Sequence, residues 1–228
     1  LNRQWRAAWV DKMLADLDHE TAQPAFEGRV HPLQLALDVQ GAMGDGDWLV
    51  IDGGNTHFWS EIAVNIAGFQ GKKLGGILHP GTFSLLGVGV SFAVSAKNVD
   101  PNRNVVLISG DGAFLSGGLS IEAAFQENRP IVVVIDNNGG LDCISQQQER
   151  LFASGTHYAT DFRDIPFHAM FEGLGGHGEL VTRREDIIPA VQRAIASGKT
   201  ACVNVKVKGV ISPIVLATTS KRDKASIE

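Results

Sequence analysis

Residues 104–112 read NVVLISGDG and residues 131–138 read IVVVIDNN, and the relation between these two stretches decides the fold. Each opens with a Val, Leu and Ile run of strand length and closes on polar residues. The first ends in Gly110-Asp111-Gly112 and the second in Asn137-Asn138, with 24 residues between Gly112 and Asn137. Strands that are apolar at nearly every position, rather than at alternate ones, are strands buried on both faces. Trp48 to Asp52 and Ala201 to Val207 read the same way. Helical patterns lie between the strands. Pro32 suits the first turn of one helix, and Leu86 to Lys97, Leu119 to Glu127 and Arg184 to Ser197 form others. This alternation predicts an α/β chain: a parallel sheet with helices on both faces, joined by right-handed crossovers. Ligands of such a sheet bind at the carboxyl ends of its strands.

At 228 residues the chain is long enough for one well-buried domain. Residues 4–19 read as an amphipathic helix, with Trp5, Trp9, Val10, Met13, Leu14 and Leu17 on one side. The polar stretch from Thr21 to Glu27 reads as a linker, so the main domain is expected over 28–208, with 1–27 as a connecting helix and 209–228 as a tail frayed from Ser220 onward. With 20 Lys and Arg against 25 Asp and Glu, a nucleic-acid partner is not expected. No run of about 20 apolar residues or signal-like amino terminus argues for a membrane. Cys143 and Cys202 are too few for a disulfide framework, which fits a reducing cytoplasm. The start at Leu1 suggests that something precedes it.

Two successive strands joined by one helix are usually neighbours, so Asp111 and Asn138 should emerge side by side on one sheet edge. A carboxylate, an amide oxygen and backbone carbonyls are hard donors suited to magnesium or calcium. One carboxylate is too few for an all-protein cage, and magnesium commonly completes its shell with phosphate oxygens and water. The pair therefore implies a phosphorylated cofactor. Gly110 and Gly112 would let the backbone approach a phosphate, with the amides of Gly112 and Ala113 as donors at a helix start. Gly44-Asp45-Gly46 is a decoy, since it precedes its strand and has no Asn pair at the same distance.

A Gly-Asp-Gly followed after about two dozen residues by Asn-Asn resembles the signature of thiamine diphosphate enzymes. The likeness covers about residues 28–208 and is greatest to the group of acetolactate synthase, benzaldehyde lyase, oxalyl-CoA decarboxylase and 2-hydroxyacyl-CoA lyase. It implies that Asp111, Asn138 and the Gly140 carbonyl hold Mg2+, which bridges the cofactor diphosphate. The loop Gly53 to Trp59 resembles the diphosphate-contacting loop, with Asn55 and Thr56 as the contacting residues; the alternative is that they cap a helix. The segment His79 to Gly89 resembles the loop around the middle of the cofactor. There Leu86 would be the apolar buttress between the two rings and the Ser84 carbonyl the acceptor for the pyrimidine amino group; the alternative for Leu86 is a core position at a helix start. Relatives often carry Met in place of Leu86 and Tyr in place of Leu141. Gly87-Val88-Gly89 also resembles half a dinucleotide fingerprint, but Phe92 stands where the third glycine would be. Of His57, His79 and His157, His79 is the candidate for meeting substrate. Cys143 has no evident base partner and is not expected to act as a nucleophile.

The resemblance implies a lyase, decarboxylase or carboligase acting on a small molecule: a 2-oxo acid, a 2-hydroxyacyl-CoA or a diketone. The Pro80 to Phe83 stretch leans toward the hydroxyacyl-CoA lyases. It also implies an activating glutamate on a separate pyrimidine-binding domain or subunit, for which this chain leaves no room, and a homodimer or homotetramer. The alternative is a non-catalytic cofactor-binding subunit of a heteromer.

Overall fold

The computed structural model describes residues 3–152 and 155–219. Its helices are α1 (Arg3–Thr21), α2 (Pro32–Ala42), α3 (Asn55–Phe69), α4 (Gly89–Val99), α5 (Asp111–Gly117), α6 (Glu122–Gln126), α7 (Asp142–Leu151), α8 (Phe167–Gly173), α9 (Ile187–Ala196) and α10 (Pro213–Thr219). The strands are β1 (Trp48–Asp52), β2 (Gly76–Leu78), β3 (Val105–Gly110), β4 (Val132–Asn137), β5 (His177–Val181) and β6 (Ala201–Lys206). They form one six-stranded sheet in the order β2-β1-β3-β4-β6-β5, with every pairing parallel.

Side chains alternate between the two faces of a strand, and the core divides accordingly. Leu49 and Ile51 of β1, Val106 and Ile108 of β3 and Val203 and Val205 of β6 point to one side, where α1, α2, α3 and α9 cover them. Val50, Val105, Leu107, Val133 and Ile135 point to the other, under α4, α5, α6 and α8. Every residue of β3 and β4 is buried, as the uninterrupted apolar runs require.

Several expected boundaries shift. The helix expected from Leu86 begins at Gly89, because Ser84 (φ 48°) and Gly87 (φ 90°) turn the preceding chain through the left-handed region. The pattern over 119–127 resolves into a 3-10 turn, Gly118–Ile121, and α6, and that over 184–197 into a 3-10 turn, Arg184–Asp186, and α9. In α1 the buried residues are Val10 and Leu17; Trp9, Met13 and Leu14 pack partly against the core, while Trp5 is 58% exposed and takes no part in the stripe. The stretch set apart as a tail packs onto the body as far as it is described: the Trp59 indole donates to the Val210 carbonyl at 2.9 Å, and Val215 is buried. Residues 220–228 lie outside the described residues.

The chain order reverses between β1, which leads outward to β2, and β3, which leads toward β4. A crevice opens at the carboxyl ends of strands where the order reverses in this way. The segments following β1, β3 and β4 therefore converge on it.

Candidate cofactor site

Those segments enclose a cleft of about 320 Å3, lined by Asn55, Thr56, Ser84, Leu86, Asp111, Gly112, Ala113, Asn138, Gly140 and Leu141 among others. Ten residues singled out from the sequence thus meet in one place. Register explains the central pair. Gly110 stands opposite Asp136 across the β3–β4 ladder, so Asp111 leaves its strand beside Asn137 and Asn138.

Asp111 is only 2% exposed. Its Oδ2 accepts the Gly139 and Gly140 amides at 2.8 and 3.1 Å, and its Oδ1 accepts the Gly112 amide at 2.7 Å. Burial nevertheless lifts its pKa to about 6, because desolvation outweighs the three amides and the nearby Asp142 adds repulsion. Behind it Asp136, also buried, is lifted to about 7 by desolvation, against the bond from Thr56 and with Asp111 and Asp142 as further repulsion. Asp136 Oδ1 has no hydrogen-bond partner. The cleft floor is therefore a desolvated acidic well that favours a cation. The donors on its rim, the Asp111 carboxylate, the Asn138 amide oxygen and the Gly140 carbonyl, are all hard oxygens, so the residues present fit magnesium. A cradle stands beside them: a methyl group on Gly112 would lie 2.5 Å from Leu141 Cδ2, within the cleft wall.

Other expected residues are also tied into the protein around the cleft. Gly110 is packed beneath the cleft, where a Cβ would come 3.0 Å from Thr56 Oγ1. The Gly112 amide, expected as a phosphate donor, is bonded to Asp111. Neither Asn55 nor Thr56 caps α3, whose N-cap is Gly54. The Thr56 hydroxyl donates to Asp136 Oδ2 at 2.8 Å, and Asn55 bridges Gln146 and the Ser212 amide. Leu86 is 38% exposed on the cleft wall, so it is not a core residue.

His79 does not line the cleft. It is exposed and lies with its ring centroid 5.1 Å from that of His57, which does. His57 is buried, stacked on Phe58 with an interplanar angle of 3°. No local signal singled it out: whether the residue one turn before Glu61 reaches the cleft depends on where α3 begins, which the glycine pair Gly53-Gly54 sets. Gly53 adopts φ 137°, and a Cβ there would come 3.0 Å from Thr56 Cβ. Asp142 and Cys143 also line the cleft, and burial pushes the Cys143 thiol up, away from the reactive thiolate.

The family model described as thiamine pyrophosphate enzyme, C-terminal TPP binding domain, matches residues 52–205. The chain is 34% identical over 178 residues to a probable acetolactate synthase of Mycobacterium bovis, an alignment covering 77% of this chain and 31% of that protein. It is 28% identical over 201 residues to the 2-hydroxyacyl-CoA lyase 2 of Bos taurus, covering 84% and 30%. A solved thiamine diphosphate-dependent 4-hydroxybenzoylformate decarboxylase of Rhodococcus jostii superposes with a TM-score of 0.68 at 25% identity, covering 81% of this chain and 34% of that one. The chain thus spans about a third of the length of the relatives it matches. With the whole cleft lining, from Gly53 to Ile144, inside the matched range, this chain belongs to the thiamine pyrophosphate enzyme family, as its C-terminal TPP-binding domain.

Proposed function

We infer that residues 28–208 are the diphosphate-binding portion of a thiamine diphosphate and magnesium dependent lyase, decarboxylase or carboligase, acting on a 2-oxo acid, a 2-hydroxyacyl-CoA or a diketone. The observation that carries this reading is Asp111, a carboxylate 2% exposed at a strand end beside Asn138 and Gly140. A buried carboxylate without a counter-charge is costly, and a magnesium ion held by Asp111, Asn138 and the Gly140 carbonyl would supply that charge.

Bound in this cleft, the cofactor supplies a nucleophilic thiazolium carbon and an electron sink. The contribution of this chain is placement. Leu86 offers an apolar wedge and the Ser84 carbonyl an acceptor for the aminopyrimidine, so that the amino group is held near the reacting carbon. Proximity of that kind is worth roughly 7–11 kcal/mol in favourable cases. Thr56 acts indirectly, by holding Asp136.

Half of such a pocket belongs to a partner, a pyrimidine-binding domain or subunit, within a homodimer or homotetramer. An apolar surface supports this: Phe83 is 95% exposed, Leu85 62% and Leu119 82%. Their two segments meet where Gly117 abuts the Gly87 carbonyl. Exposed apolar groups of this size mark contact surfaces. The two cysteines are free, which supports a reducing cytoplasm, and no helix among the described residues is long and apolar enough to cross a membrane.

Calorimetric titration of the chain with thiamine diphosphate tests the reading. Magnesium should raise affinity at least about tenfold in the native chain and have no such effect in Asp111→Asn. Equal magnesium dependence in both would place the metal elsewhere. The chain alone should turn over no substrate. Activity regained on mixing with a separately expressed pyrimidine-binding domain separates an enzyme portion from a purely cofactor-binding subunit.

A further inference from the structure

His57 and Glu61 stand one turn apart on α3 and so project from the same face of the helix. His57 Nε2 lies 3.0 Å from Glu61 Oε1. His79 reaches the pair from the segment that follows β2, and one potential ligand atom from each of the three lies within 4.8 Å of the others. Among the described residues this is the one group of three or more His, Cys, Asp or Glu side chains drawn together in this way. It shares no residue with the oxygen set at Asp111, Asn138 and Gly140, although His57 also lines that cleft.

The donor chemistry differs from that of the oxygen set. Two imidazoles and a carboxylate suit zinc and neighbouring transition metals far better than magnesium. With metal–ligand bonds of about 2.0–2.1 Å, adjacent ligand atoms lie roughly 2.9–3.4 Å apart, a spacing His57 and Glu61 already have. His79 has to close in by at most roughly 2 Å to match, a shift its exposed side chain can make by giving up the bond it accepts from the Gly81 amide. Glu61 and His79 also form part of the wall of an open pocket of about 380 Å3, with Ile51, Val64, Asn65 and Ile77. A metal at the cluster would therefore have an entry path and room for a water.

We propose that His57, Glu61 and His79 form a binding site for a divalent transition-metal ion of the zinc type, with three protein ligands and an open coordination position facing this pocket. An ion held there ties α3 to the segment that runs into the loop carrying Ser84 and Leu86. Occupancy would stiffen one wall of the cofactor cleft.

The test titrates the chelator-treated full chain with Co2+, whose visible d–d bands report nitrogen ligation, and then displaces it with Zn2+. One tight Co2+ per chain is expected, with a rise in melting temperature. His79→Ala and Glu61→Gln should each weaken Co2+ binding about tenfold or more. Asp111→Asn, altered only at the other site, should keep the bands, so this proposal and the magnesium reading fail separately. His79 is exposed, so His79→Ala remains informative should His57→Ala fail to fold. Undiminished bands in His79→Ala and Glu61→Gln, or no Co2+ binding by Asp111→Asn, would overturn the assignment.

Discussion

Asp52 Oδ2 accepts the Gly89 amide at 2.7 Å, and this contact fastens the end of β1 to the first residue of α4. The same oxygen takes the Gly87 amide at 3.0 Å. The turn that presents Leu86 to the cleft is therefore anchored on one buried carboxylate. Gly89 has to be glycine, since a Cβ there would lie 2.6 Å from Asp52 Cβ and 2.8 Å from Leu107 Cδ1. Asp52→Ala leaves two amides without an acceptor and should cost about 2–4 kcal/mol in denaturant titration. Asp52→Asn keeps an acceptor but sets an NH2 where the Oδ1 atom is buried without a partner, and should cost about half as much. A loss under about 0.5 kcal/mol for Asp52→Ala would show that the turn holds without it.

Gly117 and Gly139 separate close approach from backbone strain. A Cβ on Gly117 would lie 2.0 Å from the Gly87 carbonyl oxygen, so backbone has to move. Gly139 has φ 88° but open space where a Cβ would go. Gly117→Ala should therefore cost about 3 kcal/mol or more, and Gly139→Ala about 1 kcal/mol. Thermal unfolding of the two variants checks the order, and its reversal would mean that the Gly87–Gly117 contact relaxes easily.

How much of this could be read from the sequence follows from burial. β1, β3, β4 and β6 are buried along nearly their whole length and carry mainly apolar runs, interrupted in β6 by the buried Asn204, whereas β2 (Gly76–Leu78) and β5 (His177–Val181) are half-exposed edge strands without that pattern. The α7 sequence, DCISQQQERL, has one buried residue, Ser145, and so no apolar stripe to reveal it. The Asp111 and Asn138 pairing was legible because both follow neighbouring strands at a fixed spacing. Which histidine faces the cleft was not, since that depends on where α3 begins. Nor was the partner of Thr56, because a bond to a residue 80 positions away leaves no local mark.

His31 makes the chain acid-sensitive at a point remote from the cleft. Its Nδ1 accepts the Leu33 amide at 3.0 Å and caps α2, while the ring packs edge-on against Trp59 at 4.9 Å. Burial lowers its pKa from 6.5 to about 4. Between those values the folded chain binds fewer protons than the unfolded chain. Stability is therefore full above pH 6.5 and declines as the pH falls through this window, by up to about 3 kcal/mol. Glu20 Oε2, 3.7 Å from Nε2, offsets part of the loss once the ring is charged. His31→Asn can still cap the helix and should be less stable at pH 7 but flatter from pH 7 to 4. Denaturation midpoints across that range check the slope, and equal slopes in the two chains would assign the acid loss to other groups.

Thr56 is expected to serve the cleft through Asp136 rather than by touching the cofactor. Its hydroxyl makes the hydrogen bond to Asp136 Oδ2, and the other oxygen of that buried carboxylate has no partner. Thr56→Val is nearly isosteric but removes the donor, leaving a desolvated carboxylate with nothing to stabilise its charge. The variant should lose about 2–3 kcal/mol of stability near pH 7. Asp136 is already lifted to about 7 by burial, and losing the bond would raise it further, so the deficit should shrink as the pH is lowered and the carboxyl becomes neutral. Thr56→Ser keeps the hydroxyl and should recover most of the stability. A direct contact with diphosphate predicts a different pattern: Thr56→Val would then weaken thiamine diphosphate binding at every pH while leaving the apo chain nearly as stable as before. Paired measurements of apo stability and cofactor affinity at pH 5.5 and 7.5 distinguish the two, and a loss confined to affinity would return Thr56 to the diphosphate.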